Sequence, residues 1–279
     1  GERALAMKHA HIVCHGRDPN SHQHTWGGAF GKGLEKHGWT VTYGSATRAC
    51  DLLVLWGVRR RDWIARQKAA GGEVCILERG YLGDRFFWTS VSFGGELNGR
   101  AEFRGPFHDG SRWEKYFAHL MQPWRRKDGP VVIMGQVPGD QAVRDIDITR
   151  WCKLTAEHLK ARGHKVVIRP HPKVCAGAPL EEVLAGAKMA VTFNSNSGVD
   201  AVLAGVPTIA VDRGSMAWDV TGHELDEEPP TPDRTAWAHR LAWCQWTMDE
   251  MASGECWAAI RNSEARIYAP EGAETASAA

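Results

Sequence analysis

Two short polar clusters combine the residue types of an anion-binding site: Arg169-Pro170-His171-Pro172-Lys173 and Ser195-Asn196-Ser197-Gly198. Arg, His and Lys supply charge, while hydroxyls and backbone N–H groups at a helix start donate to anionic oxygens. Pro170 and Pro172 stiffen the turn that carries His171. Such a set can stabilise negative charge as it builds on a phosphate leaving group. The plainer alternative is that the first cluster ends a strand and the serines cap a helix.

The flanking pattern places both clusters at strand ends. Val166–Ile168 precedes the first and Met189–Phe193 the second; a helix-like stretch follows Ser197, then the apolar run Thr208–Val211. Open parallel sheets bind ligands outside the carboxyl ends of their strands. Val131–Met134 reads as a further strand of this series, ending in Gly135-Gln136-Val137-Pro138-Gly139-Asp140, with a helix near Ile148–Arg162. Gln136 joins the donor-side candidates because its flanking glycines permit close backbone approach.

The first half of the chain carries an independent series. Strand-like runs fall at His11–Cys14, Thr40–Tyr43, Leu52–Leu55 and Val74–Leu77, with helical stretches near Trp26–Lys36 and Arg60–Ala70. Alternating strands and helices imply parallel sheets with covered faces. The aromatic- and Gly-rich segment Glu78–Gly110 reads as a long functional loop. A carboxylate here can take a proton from an attacking hydroxyl. Asp84 is the first candidate, Glu78 the second and Asp18 a third, with salt-bridge roles as the alternative. Arg79, Arg85 and Trp88 are acceptor-side candidates, and His15, Arg17 and Asn20 fall at the first strand end.

Metal chemistry is not expected. His22-x-His24 has no partner at ligand spacing, and Asp145-x-Asp147 reads as an acidic first turn of a helix. The run Gly28-Ala-Phe-Gly31-Lys32-Gly33 lacks the ending of a phosphate loop and reads as helix. Seven dispersed cysteines suggest reduced thiols, with Cys14 and Cys75 in core positions.

The 279 residues carry a formal net charge of +1, which gives no global pull toward nucleic acid or membrane. Local basic clusters stand at Arg59–Arg61 and Arg125–Lys127, and no apolar run is long enough to span a bilayer. The chain is expected in a cytoplasm, its own or a host's. Four segments are expected: a first Rossmann-like domain over 1–124, a second over 125–250 that carries the two polar clusters, a C-terminal helix over 251–269 packing back on the first domain, and a disordered tail over 270–279. One long helix would carry Trp237, Leu241, Trp243, Cys244 and Met248, and a second would run over Met251–Tyr268.

The Arg169-Pro-His171-Pro segment resembles the HP motif, and Ser195-Asn196-Ser197-Gly198 the serine motif, of bacterial sialyltransferases, Kdo-transferase-like capsule enzymes and teichoic-acid polymerases. The resemblance covers residues 130–212 by motif and the rest by architecture. It implies a GT-B glycosyltransferase: two Rossmann-like α/β domains facing a cleft, with C-terminal helices bracing them. It further implies that Gln136, Arg169, His171, Lys173, Ser195, Asn196, Ser197 and Gly198 hold a nucleotide-sugar, without a metal or other cofactor. The stretches around LERGYLGDRFFWTS and GGELNGRAEF look like phage-encoded glycosyltransferases. That likeness makes a UDP-sugar the expected donor and 5-hydroxymethylpyrimidine in double-stranded DNA, such as 5-hydroxymethylcytosine, the leading acceptor. The alternatives are a capsule or surface glycan acceptor with a CMP- or UDP-sugar, a UDP-sugar epimerase, and a non-catalytic nucleotide-binding module.

Overall fold

The first apolar runs become β1 (His9–Val13), β2 (Thr40–Gly44), β3 (Leu52–Trp56) and β4 (Glu73–Arg79), joined through helices α1 (His22–Lys36) and α2 (Arg61–Ala69). These residues belong to a computed structural model that describes positions 7–14, 18–263 and 266–267. His15, Arg17 and the tail 270–279 lie outside the described residues. The chain divides into unit 1, Gly1–Asp109 with Arg240–Ala279, and unit 2, Gly110–His239. Those divisions differ from 124/125 and 250/251, where composition suggested boundaries.

Strands β1, β3 and β4 are buried along nearly their whole length because both sheet faces are covered. Their side chains alternate between two cores, as a two-residue period requires. Ile12, Leu52, Val54, Cys75 and Leu77 pack with Trp26, Phe30 and Leu34 of α1. Val13, Leu53, Leu55, Val74 and Ile76 pack with Trp63 and Ile64 of α2. The glycine-rich run 28–33 lies inside α1, with Gly33 against the carbonyl of Met251.

The segment expected as a long loop contains β5 (Thr89–Phe93) and β6 (Phe103–Arg104). All five residues of β5 are buried and pair antiparallel with β4, from Arg79↔Thr89 to Cys75↔Phe93. Its Gly- and aromatic-rich surroundings made it read as loop, and its buried Ser90 Oγ donates to the Glu78 carbonyl at 3.1 Å.

In unit 2, α3 (Ser111–Tyr116) precedes β7 (Val131–Met134), α4 (Ile148–Ala161), β8 (Val166–Arg169), α5 (Leu180–Ala185), β9 (Met189–Thr192), α6 (Ser197–Leu203) and β10 (Thr208–Ala210). The sheet order is β10-β9-β7-β8, all parallel. Val131, Ile133, Met189 and Val191 face the apolar side of α4, and Val132, Met134 and Ala190 face Leu184, Ala201 and Val206. Four parallel strands therefore end on one edge, which is what positions the candidate site.

The long C-terminal helix expected to carry Trp237 through Met248 is broken. α7 (Thr235–Ala242) gives way to β11 (Gln245–Trp246), then α8 (Met248–Ser253) and α9 (Glu255–Arg261), with β12 (Arg266–Ile267) pairing β6. Gly254 at φ 88° separates α8 from α9, so no single helix runs over Met251–Tyr268. Unit 1 thus holds the sheet β11-β5-β4-β3-β1-β2, in which β5 runs antiparallel to both its neighbours, β4 and β11.

Gln245 explains the break. Its side chain is 0 % exposed and accepts from the backbone N–H groups of Tyr81 at 2.6 Å and Leu82 at 3.0 Å, while donating to the Leu82 carbonyl at 2.9 Å. Gln245→Leu leaves three buried backbone groups without partners and is expected to cost about 2–4 kcal/mol. Urea unfolding followed by tryptophan fluorescence would show the lowered midpoint; an unchanged midpoint would mean the clamp is dispensable.

Candidate active site

The edge of the unit 2 sheet collects the ends of its four strands, and a buried asparagine ties three of the following loops together. Asn194, just after β9, is 4 % exposed. Its Nδ2 donates to the Ala142 carbonyl at 2.8 Å and to Asp212 Oδ2 at 2.9 Å, and its Oδ1 accepts from Gln136 Nε2 at 2.8 Å. The Asn194 backbone N–H donates to Gln136 Oε1 at 3.3 Å, and Asp212 also accepts from Gly214 N at 3.0 Å. Loops after β7, β9 and β10 thereby share one network, with all the side-chain amide groups of Asn194 used.

Gln136, expected to touch the donor directly, is hydrogen-bonded in this network to both the side chain and the backbone N–H of Asn194. The sequence reading missed Asn194 and Asp212 as members of the site. Their position at consecutive strand ends was the available signal.

The serine motif sits on top of that network. Ser195 N donates to Thr192 Oγ1 at 2.8 Å, while Ser195 Oγ accepts from Ser197 N at 3.1 Å and from Ser197 Oγ at 2.7 Å. Two hydroxyls sharing one bond keep one O–H to donate elsewhere, whichever serine carries it. Asn196 is the residue before α6 and makes no side-chain capping bond, and Gly198 is buried with its Cα side close to Thr192 Cγ2. The serines thus pair with each other at the helix start.

The HP segment follows β8. Gly135 N donates to the Arg169 carbonyl at 2.7 Å. A Cβ on Gly135 would lie 2.9 Å from that oxygen and 3.0 Å from Pro170 Cα, so only glycine lets the loop after β7 pass this segment. His171 Nδ1 accepts from Lys173 N at 3.1 Å, which leaves Nε2 as the protonated nitrogen of a neutral ring. Lys173 itself is exposed. Arg169 Nε is buried with no hydrogen-bond partner among the described residues. Buried guanidinium donors without an acceptor are uncommon; Arg125 Nε is another among the described residues.

The carboxylates of unit 1 are placed differently from one another. Glu78, half-buried at the end of β4, accepts from Arg79 N at 3.0 Å. Asp84 is exposed and shapes the turn that follows, accepting from Phe86 N at 2.9 Å. Asp18 likewise shapes a turn, accepting from Asn20 N at 2.9 Å before α1. Arg85 Nε donates to the Gly80 carbonyl at 2.8 Å. Trp88 is 6 % exposed and meets Phe87 edge-on, so it is a core residue and not a stacking platform for an acceptor.

Other sequence candidates fall into structural roles. Asp147 caps α4 by accepting from Arg150 N at 3.0 Å, and Asp145 pairs with Arg144 at 3.6 Å. Among the described residues no group of three or more His, Cys, Asp or Glu is arranged to hold a metal. Arg125 and Lys127 donate to carbonyls at the end of α5, Arg126 pairs with Glu228, Arg60 with Asp62 and Arg61 with Glu96. Burial places Cys14, Cys75, Cys152, Cys244 and Cys256 in the cores, with thiols pushed up from the usual range at Cys75 and Cys244. No described helix is long and apolar enough to cross a membrane.

No protein-family model and no curated protein matches the chain. Solved structures do match. The beta Kdo 2,7 transferase of Thermosulfurimonas dismutans KpsC aligns with a TM-score of 0.54 and 14 % identity, over 90 % of this chain and 98 % of that one. The beta Kdo 2,4 transferase of the same KpsC aligns with a TM-score of 0.52 and 15 % identity, over 85 % and 90 %. At such identities the likeness is one of fold: this chain has a Rossmann-like α/β fold of the kind seen in glycosyltransferases.

Proposed function

We propose that the protein is a glycosyltransferase that moves a sugar from a nucleotide-activated donor, held by unit 2, to a hydroxyl of a glycan. The observation that carries this reading is the buried, partnerless Nε–H of Arg169 on the same sheet edge as the Ser195–Ser197 pair. As the anomeric C–O bond breaks, its electron pair passes to the phosphate oxygen. Arg169, the Nε2–H of His171 and one serine hydroxyl are donors suited to that growing charge. The serine pair follows directly on the Asn194 network, the Arg169 carbonyl is tied to Gly135 N and the His171 ring to Lys173 N, so these donors are held before the reaction.

A CMP-activated keto sugar is the first donor to try, because the HP and serine motifs resemble those of sialyltransferases and the fold neighbours transfer Kdo. Each of Glu78 and Asp84 accepts one neighbouring backbone N–H, and Glu78 is placed first as the group that accepts the acceptor proton because it is half-buried at a strand end whereas Asp84 is exposed. A glycan acceptor is placed ahead of DNA because the basic triplets 59–61 and 125–127 are largely engaged by their own units.

The test is incubation with CMP-Kdo, CMP-sialic acid and UDP-glucose, each with a panel of glycans and with hydroxymethylated DNA, read by mass spectrometry. Nucleotide release that requires a glycan, and that falls at least about 100-fold in Glu78→Gln, is the expected outcome. Tight nucleotide binding without release from any donor would instead make the chain a non-catalytic module. Sugar isomerisation without an acceptor would make it an epimerase, and a mass gain on DNA would restore the DNA acceptor.

A further inference from the structure

Unit 1 contains a second cation in an unusual setting. Arg79 ends β4, and its guanidinium lies among three rings, with Cζ 4.2 Å from the Phe86 centroid and 5.7 Å from that of Trp56. Its Nη1 is 3.1 Å from both ring nitrogens of His22. No carboxylate pairs with this guanidinium among the described residues; burial lowers its pKa, against the opposing charge of Glu78 and with the like charge of Arg85. Burial and the Arg79 charge also lower the pKa of His22, which favours a neutral ring beside the cation.

Rings hold a guanidinium through its faces and leave in-plane N–H donors for a planar anion. Arg79 and Trp56 end adjacent parallel strands, the edge where such sheets take ligands. Two members of the ring set, His22 and Phe86, also line a cavity of about 350 Å³ with Phe87, Asn20, Thr25 and Asp249. That volume falls in the roughly 300–1,000 Å³ range of small-molecule sites. Phe86 and Phe87 are 65 % and 56 % exposed, a costly arrangement for adjacent phenyls that meet only solvent. Apolar faces beside Asn, Thr and Asp side chains suit a sugar ring, which has a C–H face and a hydroxyl rim.

We propose that unit 1 binds an anionic sugar, a carboxylate or phosphate carried on a pyranose ring, with Arg79 taking the anion and Phe86 and Phe87 the ring face. Its use as the acceptor subsite rests on the glycosyl-transfer reading above, whereas the binding itself does not.

The experiment is a titration followed by tryptophan fluorescence and calorimetry, with CMP saturating. The probes are free Kdo and methyl glucuronide as carboxylates, glucose 6-phosphate, methyl glucoside as the neutral sugar, and inorganic phosphate. The anionic sugars are expected to bind about 10- to 100-fold more tightly than methyl glucoside, the effect of a charge-assisted hydrogen bond. Which anion binds better identifies its source. Arg79→Gln should erase that preference. Phe86→Ala/Phe87→Ala, at two exposed positions, should instead erase the advantage of anionic sugars over inorganic phosphate, and it reports even if the Arg79 variant misfolds. Equal binding of neutral and anionic sugars, or an unchanged preference in folded Arg79→Gln, would overturn the proposal. So would a double phenylalanine variant indistinguishable from the parent. If anionic sugars bind through Arg79 while no donor is ever turned over, the transfer reading fails and this site stands.

Discussion

Asn194→Leu is expected to abolish nucleotide binding and to destabilise unit 2 by about 2–4 kcal/mol, the usual range for stripping partners from several buried polar groups. The effect follows from what the substitution strands. Gln136 Nε2 loses its acceptor, the Ala142 carbonyl loses its donor, and Asp212 Oδ2 keeps only Gly214 N of the bonds described above. A leucine of similar size fills the space but supplies no hydrogen bond, so the packing term does not offset the polar one. Asn194→Asp would fail for a different reason, since it sets a carboxylate against Asp212. Urea unfolding and a CMP titration on the same variants separate stability from binding. If Asn194→Leu unfolded at the parent concentration and bound CMP normally, the network would be incidental to the site.

The second large effect is expected at Arg169. Arg169→Gln should lower kcat/KM about 100- to 1,000-fold, the range seen when one donor to a developing oxyanion is lost. The loss should fall mainly on kcat if the bond strengthens as charge builds, and on KM if it only anchors the ground-state phosphate. Arg169→Lys should recover little, because an ammonium offers neither the Nε–H nor the planar fork. The fold should survive both changes, since the carbonyl that receives Gly135 N belongs to the backbone. Steady-state kinetics with the donor identified by mass spectrometry would show the pattern, alongside thermal melts to confirm folding.

Much of the unit 2 framework was legible because its strands are short apolar runs bounded by Pro, Gly and Asn. Val166–Ile168, Met189–Phe193 and Thr208–Val211 correspond to β8, β9 and β10 within two residues at each end. Local pattern specifies such short apolar parallel strands, buried at β9 and half-exposed at the edge strand β8, and with them the edge where Arg169 and Ser195 emerge. The Asn194 network was not legible, because its members come from three loops and a side-chain amide carries no periodicity. β5 escaped because its buried Thr and Ser break the apolar pattern, and their partners lie on β4. The stretch from Trp237 to Met248 has helical periodicity, yet Gln245 bonds to Tyr81 and Leu82, more than 160 residues away, and that tertiary link ends the helix. Trp88 stood open between core packing and acceptor stacking for a related reason: sequence shows an aromatic in a Gly-rich segment, but only packing shows which aromatic faces inward.

The most direct test of the central claim is amide chemical-shift mapping of the isotopically labelled protein during titration with CMP and UDP. The account predicts saturable shifts concentrated at Gly135–Gln136, Arg169 and His171–Lys173, Asn194–Gly198 and Asp212–Ser215, which disappear in Asn194→Leu. Saturable shifts confined to other parts of the chain, or none with either nucleotide, would contradict it.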